Sequence, residues 1–177
     1  KNDPIGASTG IAVPYDLPFP QLSELVYRIF ILQSNRLIIK GDTLFGTNMA
    51  IRSTAWAKIK NEMCRRGSLM EDMDVGLHLR RYGYGVRAAD GARVTFSARR
   101  LASNPIEYFK YASMWPKTYW YHQMYVTSIL TWPFMFVGCL LQAMVWPFIR
   151  GYDPVRRRFS LKRLFSRQQT RMIPRGS

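Results

Sequence analysis

The run Met70-Glu71-Asp72-Met73-Asp74 sets three carboxylates within four positions. Like charges that close repel, and a fold keeps such a cluster where a cation or a transferable proton meets it. A helix beginning over these residues stabilises the carboxylates through its dipole, so at least one stays ionised and able to act as a base. Residues 71 and 74 stand one turn apart while 72 points elsewhere, so one carboxylate can anchor the structure as its neighbour faces a cleft. Upstream, Gly46-Thr47-Asn48-Met49-Ala50-Ile51-Arg52 offers close backbone approach and an amide with donors and an acceptor, which suits a sugar or a diphosphate. Arg52, Arg99 and Arg100 suit phosphate oxygens, which a guanidinium binds in bidentate fashion. Each feature also has a plain structural reading. Acidic residues favour a first helical turn, Gly-Thr-Asn turns are common, and arginines solvate a surface. His78, two turns along the same helix, reads as structural.

These side chains need elements to hold them. Residues 7–13 are small and β-prone and read as a strand ended by Pro14, with a Pro-rich loop through Pro20. Residues 22–37 carry apolar side chains at near-helical spacing. Residues 43–51 read as a loop entering a strand, and Ser53 as the cap of a short helix to Ile59. Ser68-Leu69-Met70-Glu71 has capping-box spacing, so a helix is expected from there to about Tyr82, with Gly83 as its stop. Residues 86–89 and 93–96 read as two short strands separated by Asp90-Gly91. Asn104-Pro105-Ile106-Glu107 starts another helix, expected to run to Trp115, where Pro116 interrupts it.

Charge and hydropathy divide the chain. The net charge is +15, with +3 on residues 1–90 and +12 on residues 91–177. Residues 118–149 contain no Lys, Arg, Asp or Glu. As one helix they would reach about 48 Å, beyond the roughly 30 Å hydrocarbon core of a bilayer. Trp115, Tyr119, Trp120, Tyr121 and Tyr125 crowd one end and Trp146 lies near the other, the pattern of a membrane belt. Pro133 and Pro147 argue against a single rod, and a re-entrant or hairpin segment bent near Pro133, or one lying in the interface, is expected. The basic stretch 156–165 mixes cations with Phe and Leu, as in an interfacial helix on anionic lipid or a disordered basic tail. No nucleic-acid-binding motif accompanies the charge. Cys64, beside Arg65-Arg66, and Cys139, inside the apolar run, are not expected to pair, in keeping with a reducing compartment. No Cys and His spacing marks a metal site.

The ordered array Gly46-Thr47-Asn48-Met49-Ala50-Ile51-Arg52, Glu71-Asp72-Met73-Asp74-Val75, Leu79-Arg80-Arg81-Tyr82-Gly83-Tyr84 and Ser97-Ala98-Arg99-Arg100 resembles the family 2 glycosyltransferases over roughly residues 7–115. That resemblance implies an α/β fold, the second half of a GT-A nucleotide-sugar transferase domain, followed by membrane-associated helices. It implies an inverting enzyme with Asp72 as general base, Glu71 supporting the loop or acceptor, and Gly46, Thr47, Asn48 and Asp74 on the acceptor side. Arg52, Arg99 and Arg100 would meet the donor phosphates, and Mg²⁺ or Mn²⁺ would offset charge on the leaving diphosphate. The family's Asp-x-Asp metal motif, which precedes this array, and its nucleotide-binding front half are absent, so Lys1 is expected to fall after them and this chain alone is not expected to transfer sugar. The Gln-x-x-Arg-Trp motif of processive synthases is absent too, which favours a non-processive enzyme.

The expected organisation is an acceptor-side half over residues 1–103, an interfacial helix over 104–117, a membrane segment over 118–149 and a basic cytoplasmic tail over 150–177. Expected partners are a nucleotide-sugar donor, a lipid-linked or glycan acceptor and anionic lipids, with no nucleic acid, and the catalytic part facing the cytoplasm. The alternative is a non-catalytic membrane-binding protein or scaffold with a degenerate transferase fold. Ile173-Pro174-Arg175-Gly176-Ser177 carries no weight in this reading.

Overall fold

A computed structural model describes residues 4–64 and 67–165. The expectations for Lys1-Asn2-Asp3, Arg65-Arg66 and the tail beyond residue 165 lie outside these. Strand β1 (Ile5–Pro14) leads into a helical run of α1 (Pro20–Tyr27), a π-helical segment (Arg28–Gln33) and α2 (Ser34–Ile39). There follow β2 (Met49–Ile51), α3 (Ser53–Ile59), α4 (Glu71–Arg81) and β3 (Gly85–Phe96). Helices α5 (Pro105–Ala112), α6 (Met114–Tyr121) and α7 (Tyr125–Gly151) come next, then β4 (Tyr152–Asp153), β5 (Arg158–Phe159) and α8 (Leu161–Leu164). The protein is therefore mixed α/β with one long apolar helix.

The main sheet has the order β2-β1-β3, with β2 antiparallel and β3 parallel to β1. Ala7, Ile11 and Ala12 of β1 are buried, as a central strand covered on both faces requires. The two short strands expected over 86–96 are one strand. Gly10 pairs with Ala89 and Ile11 with Arg93, so residues 90–92 bulge out of register. The Asn48 side-chain amide bridges this bulge, donating to Ile11 O (3.1 Å) and Ala92 O (2.9 Å). A Cβ at residue 10 would collide with both Asn48 and Ala92, so only glycine admits this bridge.

Helix α4 lies between two apolar clusters. Val75 and Leu79 join Ala7, Leu44, Ala55 and Ile59 against the sheet and α3. Met73 and Leu77 join Tyr119 on the α6 side. Ser68 does not cap α4. The helix starts at Glu71 after Met70, whose N–H donates instead to Thr118 Oγ1 (3.0 Å) on α6. The N-cap position of α4 itself carries no side-chain cap. Gly83 does stop the helix, with φ of 75°. Similarly, Arg52 rather than Ser53 occupies the N-cap position of α3.

Asn104 caps α5 as its sequence indicates, its Oδ1 accepting from Glu107 N (2.9 Å). The helix ends at Ala112, however, and Pro116 sits in the first turn of α6, where a missing N–H costs nothing. Residues 118–149 do not bend near Pro133. The chain breaks at residues 122–124, with Gln123 at φ 62°, and α7 then runs unbroken through Pro133 and Pro147. The 156–165 stretch is no single helix either. Ser160 N–H returns to Gly151 O (2.8 Å) and Arg163 pairs with Asp153 (3.0 Å), folding the chain back as a β4–β5 hairpin with one turn of α8.

At the other end of α4, Arg80 donates to Ile39 O (3.3 Å) and Asp42 O (2.7 Å), closing the end of α2. The Asp42 carboxylate accepts from Ala88 N (2.7 Å) on β3 and from Arg36 (2.5 Å). Burial would raise the Asp42 carboxyl, but the Arg36 and Ala88 hydrogen bonds outweigh it and hold it below its ordinary value. Asp42→Asn is expected to cost about 1–3 kcal/mol in chemical denaturation at neutral pH. That advantage of the native residue is complete above the ordinary carboxyl range and is lost as pH falls through the depressed native value. Equal stability of the two proteins at neutral pH would refute this role.

Candidate functional site

An open cleft of about 620 Å³ lies where α4 begins, between the 67–72 segment, Arg100 and one face of α5. Glu71 and Asp72 line one wall. Glu107, Lys110 and Tyr111, spaced three and one residues apart on α5, line the other. The cleft thus carries two carboxylates on the α4 side and, opposite, two cations, Arg100 and Lys110, together with Glu107.

Asp72 is held by the backbone. Its Oδ2 accepts from Gly46 N (2.8 Å) and its Oδ1 from Met73 N (2.8 Å). Burial and the charge of neighbouring Glu71 raise its carboxyl above the ordinary value, against the lowering effect of these N–H groups. A carboxylate so placed is a stronger proton acceptor than one in water, and its lone pairs still have room for a hydroxyl. The Arg100 guanidinium stacks over the Tyr111 ring at 4.6 Å, which restricts it to the cleft rim. Burial and the Asp72 charge raise the Tyr111 phenol, keeping it a hydrogen-bond donor near neutrality.

The loop carrying Arg100 is aimed by Asp16, which accepts from Ser97 Oγ (2.6 Å) and Ala98 N (2.8 Å). Asp16 has no signature in sequence, because its partners lie 81 and 82 residues on. Glu107, Lys110 and Tyr111 were within reach of sequence reasoning as one helical face.

The other expected site residues divide. Gly46 orients Asp72 and Thr47 is exposed at the turn, whereas the Asn48 side chain is spent on the β-bulge. Arg52 is exposed at the far end of β2 from Gly46-Thr47-Asn48, beside Gly6, and does not reach the cleft. Arg99 is exposed but is not among the cleft-lining residues; of the adjacent pair, Arg100 alone lines it. Asp74 is 1 % exposed and faces away from the cleft, which corrects its expected acceptor role. Its helical position, between the faces that meet the sheet and α6, turns it inward.

Asp74 instead belongs to a second grouping. Its Oδ1 lies 2.6 Å from His122 Nε2 and 3.5 Å from His78 Nε2, and its Oδ2 accepts from Cys64 N (2.9 Å). Cys64 Sγ is 3.8 Å from His78 Nε2. Burial would raise the Asp74 carboxyl, but the His122 and Cys64 hydrogen bonds hold it below its ordinary value. Burial pushes the His78 imidazole down, against the attraction of Asp74. This is the one grouping of three or more potential metal donors among the described residues. Sequence spacing hid it because its members come from three separate segments. Its sulfur and nitrogen donors do not fit Mg²⁺ or Mn²⁺, which take oxygen ligands.

No protein-family model, curated protein or solved structure matches the chain.

For Arg100→Ala, binding of inorganic pyrophosphate, measured by calorimetry, is expected to weaken about tenfold, about 1.4 kcal/mol. Arg99→Ala and Arg52→Ala are expected to stay within about twofold of the parent, as exposed charges do. Equal losses at all three positions would instead mark a diffuse basic surface.

Proposed function

We propose that this chain is the acceptor-side part of an inverting glycosyltransferase of the family 2 type, with Asp72 as general base. One observation carries the reading. The carboxylate that the motif order singles out lines the cleft, locked by the Gly46 N–H of the other small-residue motif and raised by burial. In the proposed step an acceptor hydroxyl gives its proton to an Asp72 oxygen as its own oxygen attacks the anomeric carbon of a nucleotide sugar. The bond from that carbon to the diphosphate breaks on the opposite side, so configuration inverts. The α5 side supplies Lys110 and, with it, Arg100 to meet phosphate charge, while Glu71 raises the basicity of its neighbour. The divalent ion that the resemblance implies has no oxygen-rich ligand set among the described residues, and no step here is assigned to it.

The acceptor of this reading is membrane-linked or a polysaccharide, and α7 supports it. By length and composition α7 is long and apolar enough to cross a membrane. It is nevertheless packed along most of its length. Ser128, Thr131, Met135 and Gln142 form a buried stripe. Ser128 donates to Pro116 O (2.8 Å), Gln142 to Leu101 O (2.8 Å) and Trp146 to Ala102 O (3.2 Å). The remaining sides expose Val126, Ile129, Leu140, Met144 and Phe148. A helix bound to the body along one side and bare on the others suits one lying along the membrane surface, apolar side down. Residues 152–165 then stay on the cleft side, which is cytoplasmic because nucleotide sugars are made there.

Two tests follow. With the whole protein in detergent, a panel of nucleotide sugars and released nucleoside diphosphate as readout, Asp72→Asn is expected to abolish transfer. The acid limb of kcat/KM is expected above the ordinary carboxyl range, because activity needs ionised Asp72 and its pKa is raised. Glu71→Gln is expected to move that limb to lower pH by removing a neighbouring charge. Near-parental turnover by Asp72→Asn would refute the base. No release by the parent from any donor would favour a non-catalytic membrane scaffold. Separately, cysteines placed at positions 99 and 155 are expected to react with an impermeant reagent from the same face of sealed vesicles. Labelling from opposite faces would overturn the surface-lying arrangement.

A further inference from the structure

The Cys64, Asp74, His78 and His122 grouping lies apart from the cleft, and nothing in the proposed transfer uses it. Its four donor atoms all lie within 4.8 Å of one another. Zinc bond lengths to sulfur, nitrogen and oxygen place tetrahedral ligands about 3.3–3.7 Å apart. The Cys64–His78 and His78–Asp74 separations, 3.8 and 3.5 Å, are already close to those edges. The His122–Asp74 contact, at 2.6 Å, is a hydrogen bond whose proton a metal ion would replace, with a modest lengthening.

The chemistry of the set agrees with the geometry. One thiolate and one carboxylate supply two negative charges, and two neutral imidazoles supply none. A divalent ion would make the site neutral, as burial requires. Three of the four ligands are shielded, the side chains of Asp74, His78 and His122 being 1 %, 5 % and 8 % exposed, and Cys64 is half-buried at the edge. Four protein ligands without an open position define a structural rather than a catalytic centre. A second observation points the same way. His78 Nδ1 is buried without a hydrogen-bond partner, and Glu62 Oε2 stands 3.7 Å from it. Ligation through Nε2 would fix the proton on Nδ1, facing Glu62, the carboxylate–histidine–metal arrangement of zinc sites.

We infer that Cys64, Asp74, His78 and His122 form a structural zinc site. It ties the loop after α3 and the middle of α4 to the break between α6 and α7. The ion thereby fastens the helix that carries Asp72 to the start of the apolar helix. The inference does not depend on the transferase reading, since its readout is the metal itself.

The full chain, purified in detergent and passed over a chelating resin, is expected to retain about one zinc per molecule by elemental analysis. Replacement by Co²⁺ is expected to give the intense visible bands of a tetrahedral centre and a thiolate-to-cobalt band in the near ultraviolet. Cys64→Ser is expected to lose the thiolate band, and Glu62→Gln, which leaves all four ligands, to weaken zinc binding about tenfold. Arg100→Ala is expected to keep both metal and spectrum. A parent chain that holds no zinc and shows no cobalt–thiolate band would overturn the site and leave a hydrogen-bonded Asp–His–His network. Retention of that band by Cys64→Ser would overturn it equally, placing the metal on other residues.

Discussion

The structure turns on the confinement of α4 between two apolar clusters. Val75 and Leu79 are held by the sheet and α3, while Met73 and Leu77 are held by α6. With two sides occupied, the polar side chains have two outlets. Asp74 and His78, one turn apart, face the space between Cys64 and His122. Glu71 and Asp72, at the open N-terminal end, face the cleft. Three carboxylates that would repel one another in a short peptide are thus separated into different environments. One is lowered by imidazole and thiol hydrogen bonds and another is raised by burial.

That division depends on backbone contacts reaching α4 from elsewhere. Gly46 N–H fixes Asp72, Thr118 accepts from Met70 N–H at the helix start, and Arg80 closes the other end on Ile39 and Asp42. The segment that presents Gly46 is itself pinned. Thr9 Oγ1 donates to Asn48 O and accepts from Phe45 N, and the Asn48 amide locks the bulge of β3. Side chains that look like ligand donors in sequence are here spent on holding the loop, which leaves its backbone to do the orienting.

The cleft and the apolar helix are mechanically linked. Residues 97–103 leave β3, pass Asp16, carry Arg100 to the cleft and then receive Gln142 and Trp146 of α7 on their carbonyls. Helix α5 faces the cleft with Lys110 and Tyr111 and packs Phe109 against Phe136 of α7, ring centres 5.6 Å apart. A change in how α7 sits on its apolar surroundings would therefore be felt at Arg100 and α5.

The local elements were legible because their signals are local. The small apolar run of β1, Asn104-Pro105 opening α5, Gly83 ending α4 and the uncharged stretch that became α7 are each decided by neighbours in sequence. So was the placing of Glu71 and Asp72 at a helix start. Tertiary contacts decided the rest. Thr118, not Ser68, bonds the chain where α4 begins, two strand fragments fused because Asn48 could bridge residues 90–92, and Pro116 was tolerated where a helix begins. Asp74 left the cleft because the other faces of α4 were already taken by apolar partners. Cys64, His78 and His122 met it although they are 10, 4 and 48 residues away. The sequence by itself determined which segments are helical or extended, since backbone sterics and apolar periodicity act over a few residues. Which carboxylate lines the cleft, and which is buried among imidazoles and a thiol, only the tertiary structure decided, because burial and long-range hydrogen bonds are properties of the packed chain.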